Sequence, residues 1–160
     1  ILLVGAGGSA NGILYDLIQT KAKRIFITNR TLSKAVEMKE YWGKFSNNNQ
    51  VILKVVELNS FSNLNFDLII NATSSFLTNG ESPISNNVFN HLNDGGACYE
   101  LMYGQETPFM KEASKKTNLV FDGLGMLVEQ AAESFYIWHN LKPKIKNVEI
   151  FNSSGFESFR

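Results

Sequence analysis

Gly5, Ala6, Gly7, Gly8, Ser9 and Ala10 follow directly on four apolar residues, Ile1 to Val4. Gly5, Gly7 and Ala10 satisfy the spacing G-x-G-x-x-G/A, and each position has a mechanical task. The first glycine permits a tight turn, and the second lets backbone approach a pyrophosphate. A small third residue lets the following helix pack on the strand. Unpaired N–H groups at the helix start then hold the phosphates. The competing reading is a glycine turn that merely packs. Strand, turn and helix in that order favour dinucleotide binding.

The second strand selects the dinucleotide. An NAD site wants Asp or Glu at its end, bonded to the ribose hydroxyls. Here the strand ends in Asn29, Arg30 and Thr31, with no carboxylate. The planar guanidinium of Arg30 suits a 2′-phosphate. Thr31 and Lys34, at the start of the next helix, add a hydroxyl and a charge. Between Lys21 and Lys44 seven basic residues (21, 23, 24, 30, 34, 39 and 44) face only Glu37 and Glu40. A solvated helix face would explain that excess, but the phosphate gives it a local purpose. NADP is therefore expected over NAD.

Other reactive side chains read as structural. The single cysteine, Cys98, lies between Ala97 and Tyr99 and is expected in the core; it excludes an internal disulfide and fits a reducing cytoplasm. His91 and His139 are the two histidines, too few for a metal cluster. His139 suits a helix C-terminus, and His91 falls in an expected loop. Tyr99, Phe135 and Trp138 occupy apolar positions and are expected in the core.

The elements that must position these residues follow from periodicity. Strands are expected at Ile1–Val4, Arg24–Thr28, Val51–Val56, Asp67–Asn71, Ala97–Leu101 and Asn118–Phe121. Helices are expected at Ser9–Thr20, Leu32–Phe45, Thr107–Lys115 and Gly123–His139, with loops at 46–50, 60–65 and 78–87. Strands nearly continuous in Val, Ile and Leu are buried on both faces, as in a parallel sheet covered by helices. The expected fold is α/β: a doubly wound parallel sheet in three α/β/α layers, Rossmann-like. In the last helix Leu127, Ala131, Phe135 and Trp138 form the expected core stripe. Gln130 lies roughly 100° from its centre.

Four regions together resemble shikimate dehydrogenase, in its C-terminal NADP-binding domain: GAGGSA, TNRTLSKA, LIINATSS, and YELMYGQETPF together with DGLGMLVEQAAESFYIWH. The resemblance runs from Ile1 to His139. It implies NADP(H)-dependent interconversion of 3-dehydroshikimate and shikimate, a step toward chorismate and the aromatic amino acids. It further implies that Gly5, Ala6, Gly7, Gly8, Ser9 and Ala10 bind pyrophosphate, and that Asn29, Arg30, Thr31 and Lys34 surround the adenosine phosphate. Asn71, Ala72 and Thr73 would lie under the ribose. Leu101 stands where the family often has Met beside the nicotinamide, and the Gly123 carbonyl would face the carboxamide. Tyr103 and Gln130 would reach the carboxylate and hydroxyl side of the substrate. By position alone Gln130 meets water; the motif reverses that preference. Two departures stand out: Ser75-Phe76 replaces a glycine-containing turn, and Glu100 replaces the usual Asp.

The resemblance also implies that the catalytic Lys and Asp lie on a preceding N-terminal domain, so no catalytic residue is assigned within this chain. A core strand at the first residue agrees with a piece of a longer polypeptide. The expected organisation is a nucleotide domain over 1–140 and a tail or helix over 141–160. Such a chain would bind cofactor and be inactive alone. Composition sets the remaining bounds: 44% hydrophobic and 19% charged residues with zero net charge describe a globular domain. That balance advertises neither nucleic acid nor membrane as partner. A quinate/shikimate dehydrogenase and a regulatory nucleotide-binding module stay open as alternatives. DGLGMLVEQAA argues against the nucleotide domain of a glutamyl-tRNA reductase.

Overall fold

Short runs of Val, Ile and Leu bury both faces only inside a covered sheet, and that is what they build here. The computed structural model describes residues 1–144. Six strands, β1 (Leu2–Val4), β2 (Arg24–Thr28), β3 (Ile52–Val55), β4 (Phe66–Asn71), β5 (Leu92–Glu100) and β6 (Val120–Phe121), form one sheet in the order β3-β2-β1-β4-β5-β6. All five pairings are parallel. The order reverses at β1, which pairs with β2 on one side and β4 on the other.

Helices α1 (Gly8–Gln19), α2 (Leu32–Asn48), α3 (Ser75–Asn79) and α4 (Pro108–Ala113) lie between strands, and α5 (Leu124–His139) follows β6. The period of two along β1 divides the core. Leu3 belongs to a cluster with Ala10, Leu14 and Ile18 of α1 and Ala35 and Met38 of α2. Leu2 and Val4 face the opposite cluster, with Phe66, Cys98 and, from α4, Phe109 and Ala113. Sheet and two helical layers give the expected doubly wound α/β fold. Asn11 Oδ1 accepts the Trp42 indole N–H at 3.0 Å and holds α1 against α2. Among the described residues, no helix is long and apolar enough to cross a membrane.

Several local readings are corrected. α2 continues through residues 46–48, expected as loop, because Ser46 is buried and its hydroxyl donates to the Gly43 carbonyl. β5 begins at Leu92 rather than Ala97: Asn93-Asp94-Gly95-Gly96 carries turn residues, yet Leu92 pairs with Phe66 before a register shift. Residues 75–79 form α3, and a 3-10 turn over Asn86–His91 replaces an expected loop. His91 Nδ1 lies 2.9 Å from the Leu64 carbonyl oxygen, a structural contact.

The stripe expected on α5 is not core. Leu124 and Ala132 are the buried positions of this helix, whereas Phe135 is 42% and Trp138 76% exposed and Leu127 and Ala131 are also exposed. Periodicity located an apolar face correctly but not what covers it; no described element does. Tyr99 is half-buried at the margin of the α1/α2 cluster. Cys98 is fully buried, and burial pushes its thiol up to about 12, as befits a packing residue. Of the expected tail, residues 145–160 lie outside the described residues.

Candidate functional site at the strand ends

Parallel strands deliver all their C-terminal ends to one edge, and here the register aligns them. Thr28 pairs with Val4, Val4 with Asn71, and Asn71 with Glu100. The residues that follow these ends are Gly5, Asn29, Ala72 and Leu101. One line therefore carries most of the expected site, at the crevice where strand order reverses.

Gly5 sits at φ +118°, and its N–H donates to the Thr28 carbonyl at 2.8 Å. A Cβ there would stand 2.9 Å from the Ala72 carbonyl oxygen and 3.1 Å from Thr73 Cγ2, so only glycine lets the first loop pass the loop after β4. Gly7 and Gly8 differ: a Cβ on either meets nothing within 4 Å. Above them is an open cradle in front of α1, whose N-cap, Gly7, makes no side-chain cap bond. The first-turn N–H groups of α1 (Gly8, Ser9 and Ala10) have no carbonyl within their own helix. Such a helix start, with glycine where bulk would fill it, can accept a phosphate.

Asn29 leaves β2 and donates from Nδ2 to the Thr31 carbonyl at 2.8 Å, shaping the turn into α2. Arg30, Thr31 and Lys34 are exposed around this turn. Two cations and a helix start thus face solvent beside the cradle, with no carboxylate at the strand end. The residues present fit a dinucleotide with an extra phosphate.

Across the crevice Asn71 is buried and organises the loop after β4. Its Oδ1 accepts from the Thr73 N–H at 3.1 Å and from the Thr73 hydroxyl at 2.8 Å. The Thr73 and Ser75 hydroxyls lie 2.9 Å apart, so Ser75 continues the loop into α3. Asn71 Nδ2 donates to Glu100 Oε2 at 2.7 Å, and Thr107 Oγ1 donates to the same oxygen at 2.9 Å. In the sequence Glu100 reads only as a replacement for Asp, and Thr107 only as the start of a helix. The available signal was period: Glu100 lies two residues beyond Cys98 on the same inward face.

Gly123 is buried as the N-cap of α5 and donates its N–H to the Met102 carbonyl at 3.0 Å. Its own carbonyl accepts the Leu127 N–H at 3.0 Å, opening the helix. A Cβ on Gly123 would overlap the Leu101 carbonyl. Gly123→Ala is accordingly expected to push α5 off the loop after β5, costing roughly 1–3 kcal/mol as overpacking does. Urea denaturation checks it; an unchanged midpoint contradicts it. Tyr103, 47% exposed, and the exposed Gln130 of α5 stand outside the aligned strand ends.

Comparison with known proteins places the chain in a family. The family model "Shikimate / quinate 5-dehydrogenase" matches residues 1–85, and the model "Shikimate 5'-dehydrogenase C-terminal domain" matches residues 123–149. The shikimate dehydrogenase (NADP(+)) of Janthinobacterium sp. (strain Marseille) is 43% identical over 145 residues, covering 90% of this chain and 50% of the relative. That of Legionella pneumophila (strain Lens) is 39% identical over 150 residues, covering 92% and 52%. Shikimate 5-dehydrogenase from Thermus thermophilus, solved in complex with NADP(H) and shikimate, superposes with a TM-score of 0.72 at 28% identity, covering 91% of this chain and 51% of that one. The chain thus spans about half the length of the curated relatives it matches. Glycine turn, aligned strand ends and family match converge: the chain belongs to the shikimate/quinate 5-dehydrogenase family.

Proposed function

We propose that this chain is the NADP(H)-binding half of a shikimate dehydrogenase. One observation carries the reading: the open glycine cradle after β1 lies beside the turn from β2 into α2, which offers Arg30 and Lys34 and no carboxylate. The first-turn amides behind Gly5, Ala6, Gly7, Gly8, Ser9 and Ala10 hold the pyrophosphate. Arg30 and Lys34, with Asn29 and Thr31, take the adenosine 2′-phosphate. Ala72 and Thr73, set by Asn71, support the far ribose, and Leu101 and Gly123 flank the nicotinamide. When bound, NADP(H) exchanges a hydride with the oxygen-bearing carbon of the substrate. Tyr103 and Gln130 present polar atoms toward shikimate or 3-dehydroshikimate, whose remaining contacts and acid–base group come from a preceding domain. No residue of this chain is assigned a catalytic role. A single, buried and free thiol supports work in a reducing cytoplasm.

Titration calorimetry tests the cofactor assignment. NADP+ is expected to bind more tightly than NAD+, and Arg30→Ala to reduce that preference by roughly 1–3 kcal/mol, the scale of charge-assisted hydrogen bonds. Equal affinities in the parent chain would overturn the assignment. They would also favour the quinate reading, which the missing carboxylate at Asn29 otherwise disfavours.

A further inference from the structure

Glu100 is fully buried at the end of β5, in a sheet otherwise built mainly from apolar side chains. The groups around its oxygens are donors from the end of β4 and from the segment after β5. Asn71 Nδ2 reaches Oε2 at 2.7 Å from the β4 side. Thr107 Oγ1 reaches the same oxygen at 2.9 Å, and the Met102 N–H reaches Oε1 at 3.1 Å, both from the segment after β5.

Neither side-chain donor is free to turn round. Asn71 Oδ1 already accepts from Thr73, so its NH2 must point at Glu100. The Thr107 hydroxyl accepts the Met110 N–H at 3.2 Å as it caps α4, so its proton goes to Glu100. Both carboxyl oxygens must then accept, which the ionised form does. Burial pushes the Glu100 carboxyl above the ordinary range, and the donors from Met102, Asn71, Thr107 and Leu101 offset that only in part. A buried charge is costly, and satisfied networks of this kind over-determine the backbone around them.

The position of the network relative to a dinucleotide follows from the site. On the NADP reading, the adenosine phosphate would lie at Arg30 beyond β2 and the pyrophosphate at the turn after β1. The nicotinamide end must therefore run over the loops after β4 and β5. We propose that Glu100 is a positioning residue for the nicotinamide half of the cofactor: one carboxylate ties Asn71–Thr73 to Met102–Thr107 and sets both loops at a common height. This rests on the NADP reading above.

The test separates the two halves of the ligand. Glu100→Gln keeps size but turns an amide NH2 toward one of the donors. The 160-residue chain and this variant are titrated with NADP+ and with adenosine 2′,5′-bisphosphate, which lacks nicotinamide. Affinity for NADP+ is expected to fall about tenfold, the loss of one charged hydrogen bond, while that for the bisphosphate holds. A parallel fall in both, as general destabilisation would give, overturns the proposal, and so does no change in either. If the parent chain binds neither ligand, the NADP reading itself is wrong. Thr107→Val, which removes one donor to Glu100 together with the cap on the Met110 N–H, guards against a Glu100 variant that does not fold. Amide exchange at Thr73, on the far side of the carboxylate, is expected to accelerate in Thr107→Val while residues 29–34 keep their rates; an unchanged Thr73 overturns the coupling.

Discussion

Mixed with NADP+ and shikimate, the 160-residue chain is expected to bind cofactor and generate no measurable NADPH. Holding a donor and an acceptor in near-attack geometry requires both walls of a cleft. This chain offers one wall: Tyr103 and Gln130 are exposed side chains on its rim, and α5 presents Phe135 and Trp138 to solvent. Without a positioned acid–base group a further factor of about 10²–10⁴ is missing. Joined in one polypeptide to the half of the longer relatives that the matched region does not span, the chain is expected to oxidise shikimate. In that form Gln130→Ala should depress shikimate use far more than NADP+ affinity. Absorbance of the reduced nicotinamide is the readout. Robust turnover by the chain alone would place a base within these residues and sink the two-wall account.

Two glycines two residues apart are expected to fail in opposite ways. Gly7→Val should abolish binding of both NADP+ and NAD+ and leave the fold intact, because its Cβ meets nothing within 4 Å and its φ is −92°. The added bulk lies in the cradle where phosphate must approach. Gly5→Val should instead unfold the chain or lower its stability sharply. At φ +118° a side chain costs roughly 1–3 kcal/mol in backbone strain. Contact with the Ala72 carbonyl adds an overpacking cost of about 1–3 kcal/mol. Against a typical domain stability of about 5–15 kcal/mol the sum is large. Circular dichroism on heating, beside fluorescence titration, distinguishes the two variants. A Gly7→Val chain that keeps normal affinity would reduce the motif to a packing turn.

The parts of the molecule that read clearly in the sequence are those governed by local rules. Apolar runs marked β1, β2 and β4, and the spacing of Gly5, Gly7 and Ala10 marked the turn between strand and helix. The absent carboxylate after Thr28 was visible without any structure. Harder to read were features settled by partners distant in the chain. Asn93 to Gly96 looks like a turn because strand pairing with Phe66 is a tertiary event. The face of α5 was legible as apolar, but amphipathicity states only that a surface wants covering. Glu100 reads in the sequence only as a replacement for Asp, because its donors, Asn71 and Thr107, come from separate elements.

β1 is three residues long, yet it alone joins β2 and β3 to β4, β5 and β6. Leu2 meets Phe26 on one side and Ile69 on the other. The first pairing closes across one helix, whereas the second must wait for the chain through α2 and β3. Folding therefore has a high-contact-order step at this seam, the kind that sets the pace in parallel sheets. The crevice at the order reversal does not exist until that step is complete. A nucleotide lying across it recognises only the joined sheet, so mass action favours closure: at a hundredfold excess over its dissociation constant, such a ligand adds about 2.7 kcal/mol. Cofactor would then act as a clasp on a three-residue hinge line, stabilising the union of two folding units that each assemble largely from their own neighbours.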